Sequence, residues 1–430
     1  MQHFNTIALS VSFAPTALAC SSTPEGAADP TPSTDPPSGP ATPLSVAPSS
    51  TVTEPLPDTT TSTRSTAELE ELREVRTALD PLVGQATAPW RTDWRLTNID
   101  LGELELGIGR VDPRDAIPPI DQPEFESVDS AAIWLLADEP GALVQLDGEA
   151  RFYPLSILHR HEVVNDQIAG VPIAMTYCPL CNTALAFDRR LDGVVLRMGV
   201  SGLLRNSDLV MWDDQSVSLW QQITGEAIVG AATGARLTPI STAIVSFGDF
   251  AAAFPDGLSL SQNTGFGIAY GAHPYRGYSS AEVPFRYDGD VDPRYAALSR
   301  VVGVTVNSEA KAYPFEEIES LGVVNDVVGG EPIVVFWGGG TLDALDSDTV
   351  SSGRAIGTGV AYLSTVGDQT PSFSKIGDTW TDAETGSAWT LLGGAIEGPL
   401  TGQRLTTAVH RNEFWFAWGT FFPDSDVFEG

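Results

Sequence analysis

The sequence contains very little cysteine, with three residues in 430. This excludes a small domain stapled by a disulfide framework, and the 42% of apolar residues are enough to build a core instead. Two of the three cysteines, Cys178 and Cys181, nevertheless stand close together in the stretch TYCPLCNTALAFD. A close pair in a chain so poor in cysteine indicates that the pair carries chemistry.

Positive charge is also scarce, since 23 Lys and Arg face 56 Asp and Glu, which gives a net charge of -33 and a pI of about 4.2. Such a surface repels phosphate backbones, so we expect no nucleic-acid partner. Glycine-rich nucleotide loops and serine hydrolase elbows are missing, and Gly265-Phe-Gly267 is too short to count as one. A protein or small-molecule partner cannot be named from the sequence.

The apolar run at the start, from Ile7 to Ala19, is too short to span a membrane and resembles a secretory signal. It ends in Ala17-Leu-Ala-Cys20, which is similar to a lipobox whose cysteine becomes lipidated. We therefore interpret residues 1–20 as a signal peptide and Cys20 as the lipidation site. The expected location is extracytoplasmic, at the cell surface or in the periplasm, with a lipid anchor in the membrane. A secreted protein is the alternative.

The next segment, residues 21–66, is rich in Pro, Ser and Thr, and we predict a disordered tether. A short helix is predicted from about Ser65 to Leu79, within an N-terminal lead-in over 67–139.

Two stretches of the chain repeat each other, about 140–260 and 300–428, with a Gly- and Tyr-rich connector over 261–299. They align without a gap around the shared motifs Tyr-Pro and Val-Val-Asn-Asp. Each copy predicts a short helix after its Tyr-Pro and then several short strands bounded by Gly and Asp. The fold class expected is α+β and β-rich, with two pseudo-symmetric repeats of mostly antiparallel strands. The strands predicted in the first copy are Ile173–Cys178, Thr183–Asp188, Val194–Val200, Leu209–Trp212 and Val217–Gln222.

The two copies differ at four reactive positions. The residues of the first copy and their partners in the second are His161 with Leu321, Glu162 with Gly322, Cys178 with Gly338, and Cys181 with Thr341. Turn and core residues persist while these four side chains disappear together. This pattern predicts one site in the first copy.

Three interpretations of the cysteine pair stay open. A disulfide closing so short a loop would stabilise the fold by only roughly 2 kcal/mol, which is a weak reason to keep it. A redox dithiol would use Cys178 as the attacking thiolate and Cys181 as the resolving thiol, but the residues after Cys181 predict a strand rather than the helix that stabilises a thiolate. A metal site, favoured here, would use the Cys-Pro-x-Cys turn as a two-ligand knuckle.

The third metal ligand expected from the comparison of the copies is His161. The fourth position would belong to Glu162, Asp208, a methionine or water. Zinc, iron or copper would suit such a site, and copper would be favoured if Met175, Met198 or Met211 were ligands. Core packing is the stronger explanation for each methionine.

These motifs resemble the family called domain of unknown function 3179. The resemblance rests on Tyr153-Pro-Leu-Ser-Ile-Leu158, His161-Glu-Val-Val-Asn-Asp166, Thr176-Tyr-Cys-Pro-Leu-Cys181, Phe187-Asp-Arg189, Gly199-Val-Ser-Gly-Leu-Leu204, Asn206-Ser-Asp-Leu-Val-Met-Trp212 and Ser218-Leu-Trp-Gln221. It covers about residues 100–428 and implies a site without a reaction. The residues that it adds as candidates for cofactor binding are Arg189, Asn206 and Asp208, and it also marks Trp220, which we interpret as core.

The sequence therefore leads to three hypotheses. The first is a metal-binding protein, with Glu162 as acid or base if it is an enzyme. The second is a thiol–disulfide oxidoreductase, and the third is a surface recognition module without catalysis.

Overall fold

The computed structural model describes residues 66–430, which belong to one compact unit. These described residues are 39% strand and 16% helix, with several antiparallel sheets and short helices. The predicted β-rich α+β class is therefore confirmed. The predicted leader 1–20, Cys20 and nearly all of the tether 21–66 lie outside the described residues. Within the described part, no helix is both long enough and apolar enough to cross a membrane.

The N-terminal lead-in consists of short elements that pack on a sheet of the first repeat. Its core side chains, among them Val83 and Trp94, lie with Leu203 and Val210 of that sheet in one apolar cluster. Two short 3-10 turns, Arg76–Ala78 and Leu101–Glu103, complete it. Its helices and strands are α1 (Thr66–Val75), α2 (Pro81–Ala86), β1 (Leu104–Leu106), β2 (Phe125–Ser127) and α3 (Val128–Ala131).

The first repeat contains three sheets, ordered β1-β10-β11-β12-β13, β14-β7-β6-β5 and β15-β3-β4-β16-β2, besides the small hairpin β8-β9. Its elements are β3 (Pro140–Leu146), β4 (Glu149–Pro154), α4 (Leu155–His161), β5 (Val163–Ile168), β6 (Val171–Cys178), β7 (Thr183–Asp188), β8 (Arg190–Leu191), β9 (Val194–Val195), β10 (Met198–Arg205), β11 (Asp208–Asp213), β12 (Leu219–Gln221), β13 (Glu226–Val229), β14 (Thr238–Ile240), β15 (Thr242–Ser246), α5 (Phe247–Ala253) and β16 (Leu258–Leu260).

The second repeat follows a connector whose 3-10 turn is Tyr278–Ser280, and its sheets are ordered β27-β17-β18-β28, β19-β20-β21-β26 and β22-β23-β24-β25. A further 3-10 turn is Val350–Ser352. Its elements are β17 (Arg300–Val306), β18 (Glu309–Pro314), α6 (Phe315–Leu321), β19 (Val323–Val328), β20 (Glu331–Gly338), β21 (Thr358–Leu363), β22 (Phe373–Ile376), β23 (Thr379–Asp382), β24 (Ala388–Trp389), β25 (Ala395–Glu397), β26 (Thr406–Thr407), β27 (His410–Phe414), α7 (Trp415–Phe421) and β28 (Asp426–Val427).

Residues shared by the two copies make matching contacts. The Trp220 indole donates to Asp213 at 2.9 Å, and the Trp389 indole donates to Asp382 at 2.9 Å. All four side chains are buried, so these bonds satisfy polar groups that water cannot reach. The interpretation of Trp220 as a core residue fits this contact, while a pseudo-twofold relation between the copies and their exact boundaries stay predictions.

Two predicted strands differ from the structure. The expected strand Val194–Val200 is interrupted after β9, because the Leu196 amide donates to the Arg189 carbonyl and closes a small hairpin instead. The expected strand Val217–Gln222 is shorter, since Val217 has a positive φ of 55° and leaves the extended conformation.

The two repeats meet beside the cysteine pair. The Phe414 amide at the end of β27 donates to the Cys181 carbonyl at 3.0 Å. The turn that contains Cys181 is thus held in place by strand β27, near the end of the second repeat.

Candidate functional site

The two cysteines lie at a hairpin between β6 and β7. Cys178 ends β6 and pairs with Thr183 of β7, and the intervening turn contains Cys181 and Asn182. Asn182 has a φ of 53°, in the left-handed region that asparagine tolerates better than most residues. The tight turn places both sulfur atoms on the same side.

Asp208 comes to the same place from a second hairpin. Asn206 and Ser207 form the two-residue turn between β10 and β11, with φ values of 52° and 63°, as a type I′ turn requires. The Ser207 carbonyl accepts from the Cys178 sulfur at 3.8 Å and from the Cys181 sulfur at 3.6 Å. The turn residues Asn206 and Ser207 therefore set the position of Asp208.

Among residues 66–430, the ligand atoms of Cys178, Cys181 and Asp208 form a group of metal-ligating type, all within 4.8 Å of one another and all buried. One carboxyl oxygen of Asp208, Oδ2, accepts from the Gln221 amide at 2.6 Å and from the Ile223 backbone amide at 3.0 Å. Among the described residues, the other oxygen, Oδ1, is buried without a hydrogen-bond partner of ordinary length, and the two thiols are polar groups that interact with this carboxyl and lower its pKa. A buried polar atom without a partner is costly, which suits an atom that binds a ligand.

The protonation of this group follows from its burial. Burial raises the pKa of the Cys178 thiol and raises that of the Cys181 thiol strongly, so both are neutral at physiological pH. Burial also raises the pKa of Asp208 to about 6, although hydrogen bonds from Gln221, from the Ile223 amide and from the two thiols oppose the shift. At neutral pH the group therefore holds two thiols and one carboxylate.

His161 is not part of this group, contrary to its place as third ligand in the sequence analysis. Its Nδ1 donates to the Pro118 carbonyl at 2.6 Å, and its Nε2 accepts from the Tyr270 hydroxyl at 2.7 Å. The ring is fully buried, and burial lowers its pKa so that it stays neutral. Both nitrogens are occupied by protein groups, and the third residue of the group is Asp208, which was predicted as a candidate for the fourth position.

Glu162 ends helix α4 in a left-handed conformation, with φ of 58°. Its counterpart Gly322 ends α6 in the same way, with φ of 71°. The position suits glycine, so a glutamate there carries backbone strain. Burial raises the pKa of Glu162 to about 8, and the nearby Asp208 charge adds to the shift, while a hydrogen bond with Tyr275 opposes it. Glu162 is thus a neutral carboxylic acid beside the cysteine group at neutral pH.

The other predicted site residues have structural contacts. Arg189 donates to the Ile173 and Leu196 carbonyls at 3.1 and 2.7 Å, so its guanidinium ties strands together. Met175 lies three residues before Cys178 in one strand and therefore points to the opposite face. The methionines predicted as alternative ligands lie buried in the main apolar cluster: Met175, Met198 and Met211. This arrangement removes the argument for copper.

Two charged residues near the site were not predicted from the sequence. Glu413 of β27 accepts from Thr183 at 3.2 Å, and Arg411 of the same strand donates to the Ile223 carbonyl at 2.8 Å. Both are buried, and both interact electrostatically with Asp208. The equivalent positions of β15 in the first copy hold Ala243 and Val245. A search for reactive residues that the second copy has and the first copy lacks would therefore have found Arg411 and Glu413.

Comparison with known proteins places the chain in a family. Residues 114–425 match the family described as Protein of unknown function (DUF3179). The chain belongs to this family. The match includes every residue of the cysteine group and both repeats. Neither a curated protein nor a solved structure matches this DUF3179 chain significantly.

Proposed function

We propose that this DUF3179 protein binds one divalent transition metal through Cys178, Cys181 and Asp208. The observation that carries the proposal is the convergence of the two sulfurs and the buried Asp208 carboxyl, whose ligand atoms lie within 4.8 Å of one another and whose Oδ1 has no hydrogen-bond partner of ordinary length among the described residues. In a tetrahedral zinc site, neighbouring sulfur and oxygen ligands are roughly 3.5–3.8 Å apart. The group therefore needs little contraction to hold an ion.

The donor set favours zinc, with iron as the second choice. Two thiolates and one carboxylate combine soft and hard ligands, whereas copper in its reduced state prefers sulfur and imidazole. Three protein ligands leave a fourth position for water or a substrate atom, and a bound zinc ion can act there as a Lewis acid. Glu162 would supply a proton donor, because its carboxyl is neutral at pH 7.

The charges of the site fit an exchange of one divalent ion for two protons. Both thiols are protonated without metal, since burial raises their pKa values, and Asp208 is already ionised at pH 7.5. Binding must deprotonate the thiols, because only thiolate is a metal ligand. The net charge of the buried site is then unchanged, and Arg411 opposes the remaining negative charge of Asp208.

The test uses residues 63–430 purified without chelator or reductant. Elemental analysis is expected to find about one metal per chain, and calorimetric titration of the metal-free protein in two buffers of different ionisation enthalpy should find about two protons released per metal. Absence of metal, together with two thiols that react only after reduction, would overturn the proposal. That result would instead indicate thiol–disulfide exchange. The structure does not favour this function, because exchange requires a reactive thiolate and both thiols are buried and neutral.

We also propose that the protein is exported and anchored to a membrane through lipidated Cys20. The support is the sequence Ala17-Leu-Ala-Cys20 after a short apolar run, followed by the Pro-, Ser- and Thr-rich segment. Labelling of cells with a radioactive fatty acid should mark the wild type and not Cys20→Ala. Equal labelling of the two would contradict the anchor.

A further inference from the structure

The connector between the repeats is attached to the cysteine site by tyrosine side chains. Tyr270 donates to His161 at 2.7 Å, Tyr275 hydrogen-bonds Glu162, and Tyr278 donates to the Leu180 carbonyl, between the two cysteines, at 2.9 Å. Leu180 lies between the two cysteines in the sequence. His161 and Glu162 are two of the four reactive residues that the second repeat lacks. The connector therefore contacts the region in which the two repeats differ.

A second contact fixes the connector to the turn that precedes Asp208. Ser207 donates through its hydroxyl to the Phe285 carbonyl, and the Ser207 carbonyl faces both sulfurs. The Cys178 side chain belongs to a residue only 2% exposed, and Cys181 is fully buried. Metal or substrate cannot reach these sulfurs unless some covering segment moves.

The hydrogen bonds around His161 form a directed chain. A carbonyl only accepts, so His161 Nδ1 carries the proton that is donated to Pro118, and Nε2 must accept from Tyr270. The Tyr270 hydroxyl, having donated its proton, accepts from Thr264. The imidazole thus joins the lead-in segment on one side to the connector on the other.

Within residues 66–430, no comparable segment covers the equivalent position of the second repeat. Leu321, the counterpart of His161, is 46% exposed, whereas His161 is fully buried. The connector lies on His161 and explains why a buried polar residue is found at this position. No role of His161 in binding an ion is needed to explain it.

Two glycines lie beside these tyrosines, and each makes one backbone hydrogen bond to the second repeat: the Val350 amide donates to the Gly271 carbonyl at 3.1 Å, and the Gly277 amide donates to the Asp346 carbonyl at 3.1 Å. Gly271, which follows Tyr270, has φ of 103°, and Gly277, which precedes Tyr278, has φ of 73°. An added Cβ would meet no atom within 4 Å at either position, so the surrounding space is open. Both glycines lie within the covering segment, so its opening must also break these two backbone hydrogen bonds, while the positive φ values explain why glycine suits the two positions.

We propose that residues 264–286 form a lid over the cysteine site, and that His161, through Tyr270, is the latch that holds it against the site, while backbone hydrogen bonds to residues 345–350 hold it against the second repeat. Opening exposes the two thiols to a divalent cation or to a substrate. The role in metal exchange rests on the proposed function, whereas the latch itself does not.

The test measures access to the thiols in metal-free protein, residues 63–430, with 5,5′-dithiobis(2-nitrobenzoate) as the probe. Tyr270→Phe removes only the latch hydroxyl, and the rate of thiol reaction should rise about fivefold to tenfold, as expected for one lost hydrogen bond. The matched control is Tyr287→Phe, whose hydroxyl lies in the same connector and bonds Thr420 at 2.7 Å instead. Its thiol reaction should keep the wild-type rate.

Two further measurements separate the latch from its alternatives. In low urea, the reaction rate of Tyr270→Phe should depend on urea far less than global unfolding does, because only a local segment opens. His161→Leu, which introduces the residue of the second repeat, should react faster while still binding one zinc ion per chain. Equal rates for Tyr270→Phe and Tyr287→Phe, a urea dependence matching global unfolding, or loss of zinc in His161→Leu would each overturn the proposal. Failure of metal binding in the wild type would contradict the proposed function and leave the thiol measurement valid.

Discussion

Replacement of Asp208 by asparagine is expected to weaken zinc binding at least about 100-fold while the metal-free protein stays folded. Loss of a residue that only orients a ligand costs 10- to 100-fold in affinity, so loss of the ligand itself should cost more. The fold should survive, because an asparagine oxygen can still accept from Gln221 and from the Ile223 amide. Burial raises the pKa of Asp208, which means that its charge is unfavourable in the metal-free fold.

The measurement is competitive zinc titration against a chromophoric chelator, with urea unfolding of the metal-free proteins in parallel. Asp249→Asn is the control, since Asp249 is a partly buried carboxyl that bonds Ser246 at 2.6 Å away from the cysteines. It should bind zinc as the wild type does. If Asp208→Asn bound zinc normally, or lost zinc only because it had unfolded, Asp208 would not be a ligand.

The sequence predicted the fold class because its signals are local. Each signal spans only a few residues: short strands, a Tyr-Pro pair before a helix, and Gly-containing turns. These motifs occur in both copies, so each copy supports the prediction made from the other. The strand after Val194 was placed wrongly because its end depends on a hairpin contact between Leu196 and Arg189.

The cysteine site was predicted only in part. Comparison of the repeats selected Cys178, Cys181 and Glu162, which lie near one another in the structure, and it also selected His161, which differs from Leu321 because a connector covers it. Divergence between copies shows that surroundings differ, and it does not distinguish a metal ligand from a residue that contacts a unique segment.

Arg411 and Glu413 depended on tertiary structure in a different way. Strand β27 pairs with β17 in the second repeat, yet its end lies against the Cys181 turn of the first repeat. Sequence patterns predict strands but seldom the neighbours of a strand from a distant part of the chain. The only signal was that these residues are charged where β15 has Ala243 and Val245.

Replacement of Glu162 by glutamine should make the stability of the metal-free protein less dependent on pH. The folded-state pKa of Glu162 is raised to about 8 from the usual 4.5, chiefly by burial and then by the Asp208 charge. A carboxyl with a raised pKa binds its proton more tightly in the folded state, so the wild type loses stability as the pH rises from about 4.5 to 8. Glutamine cannot ionise, and it keeps the size of the side chain and a partner for Tyr275.

The difference between variant and wild type therefore has a defined sign and range. At pH 5 the two proteins should unfold within about 1 kcal/mol of each other, whereas at pH 8 the glutamine variant should be more stable by on the order of 4 kcal/mol. Urea unfolding of chelator-treated protein between pH 5 and 8 measures this, with the exposed Glu397→Gln as control. A constant difference across that range would mean that Glu162 is ionised in the fold, and it could not then donate a proton at the metal. A growing difference would show that the chain tolerates, at a position suited to glycine, a buried acid whose ionisation works against folding. Such a cost without a compensating gain in stability is expected of a residue retained for chemistry.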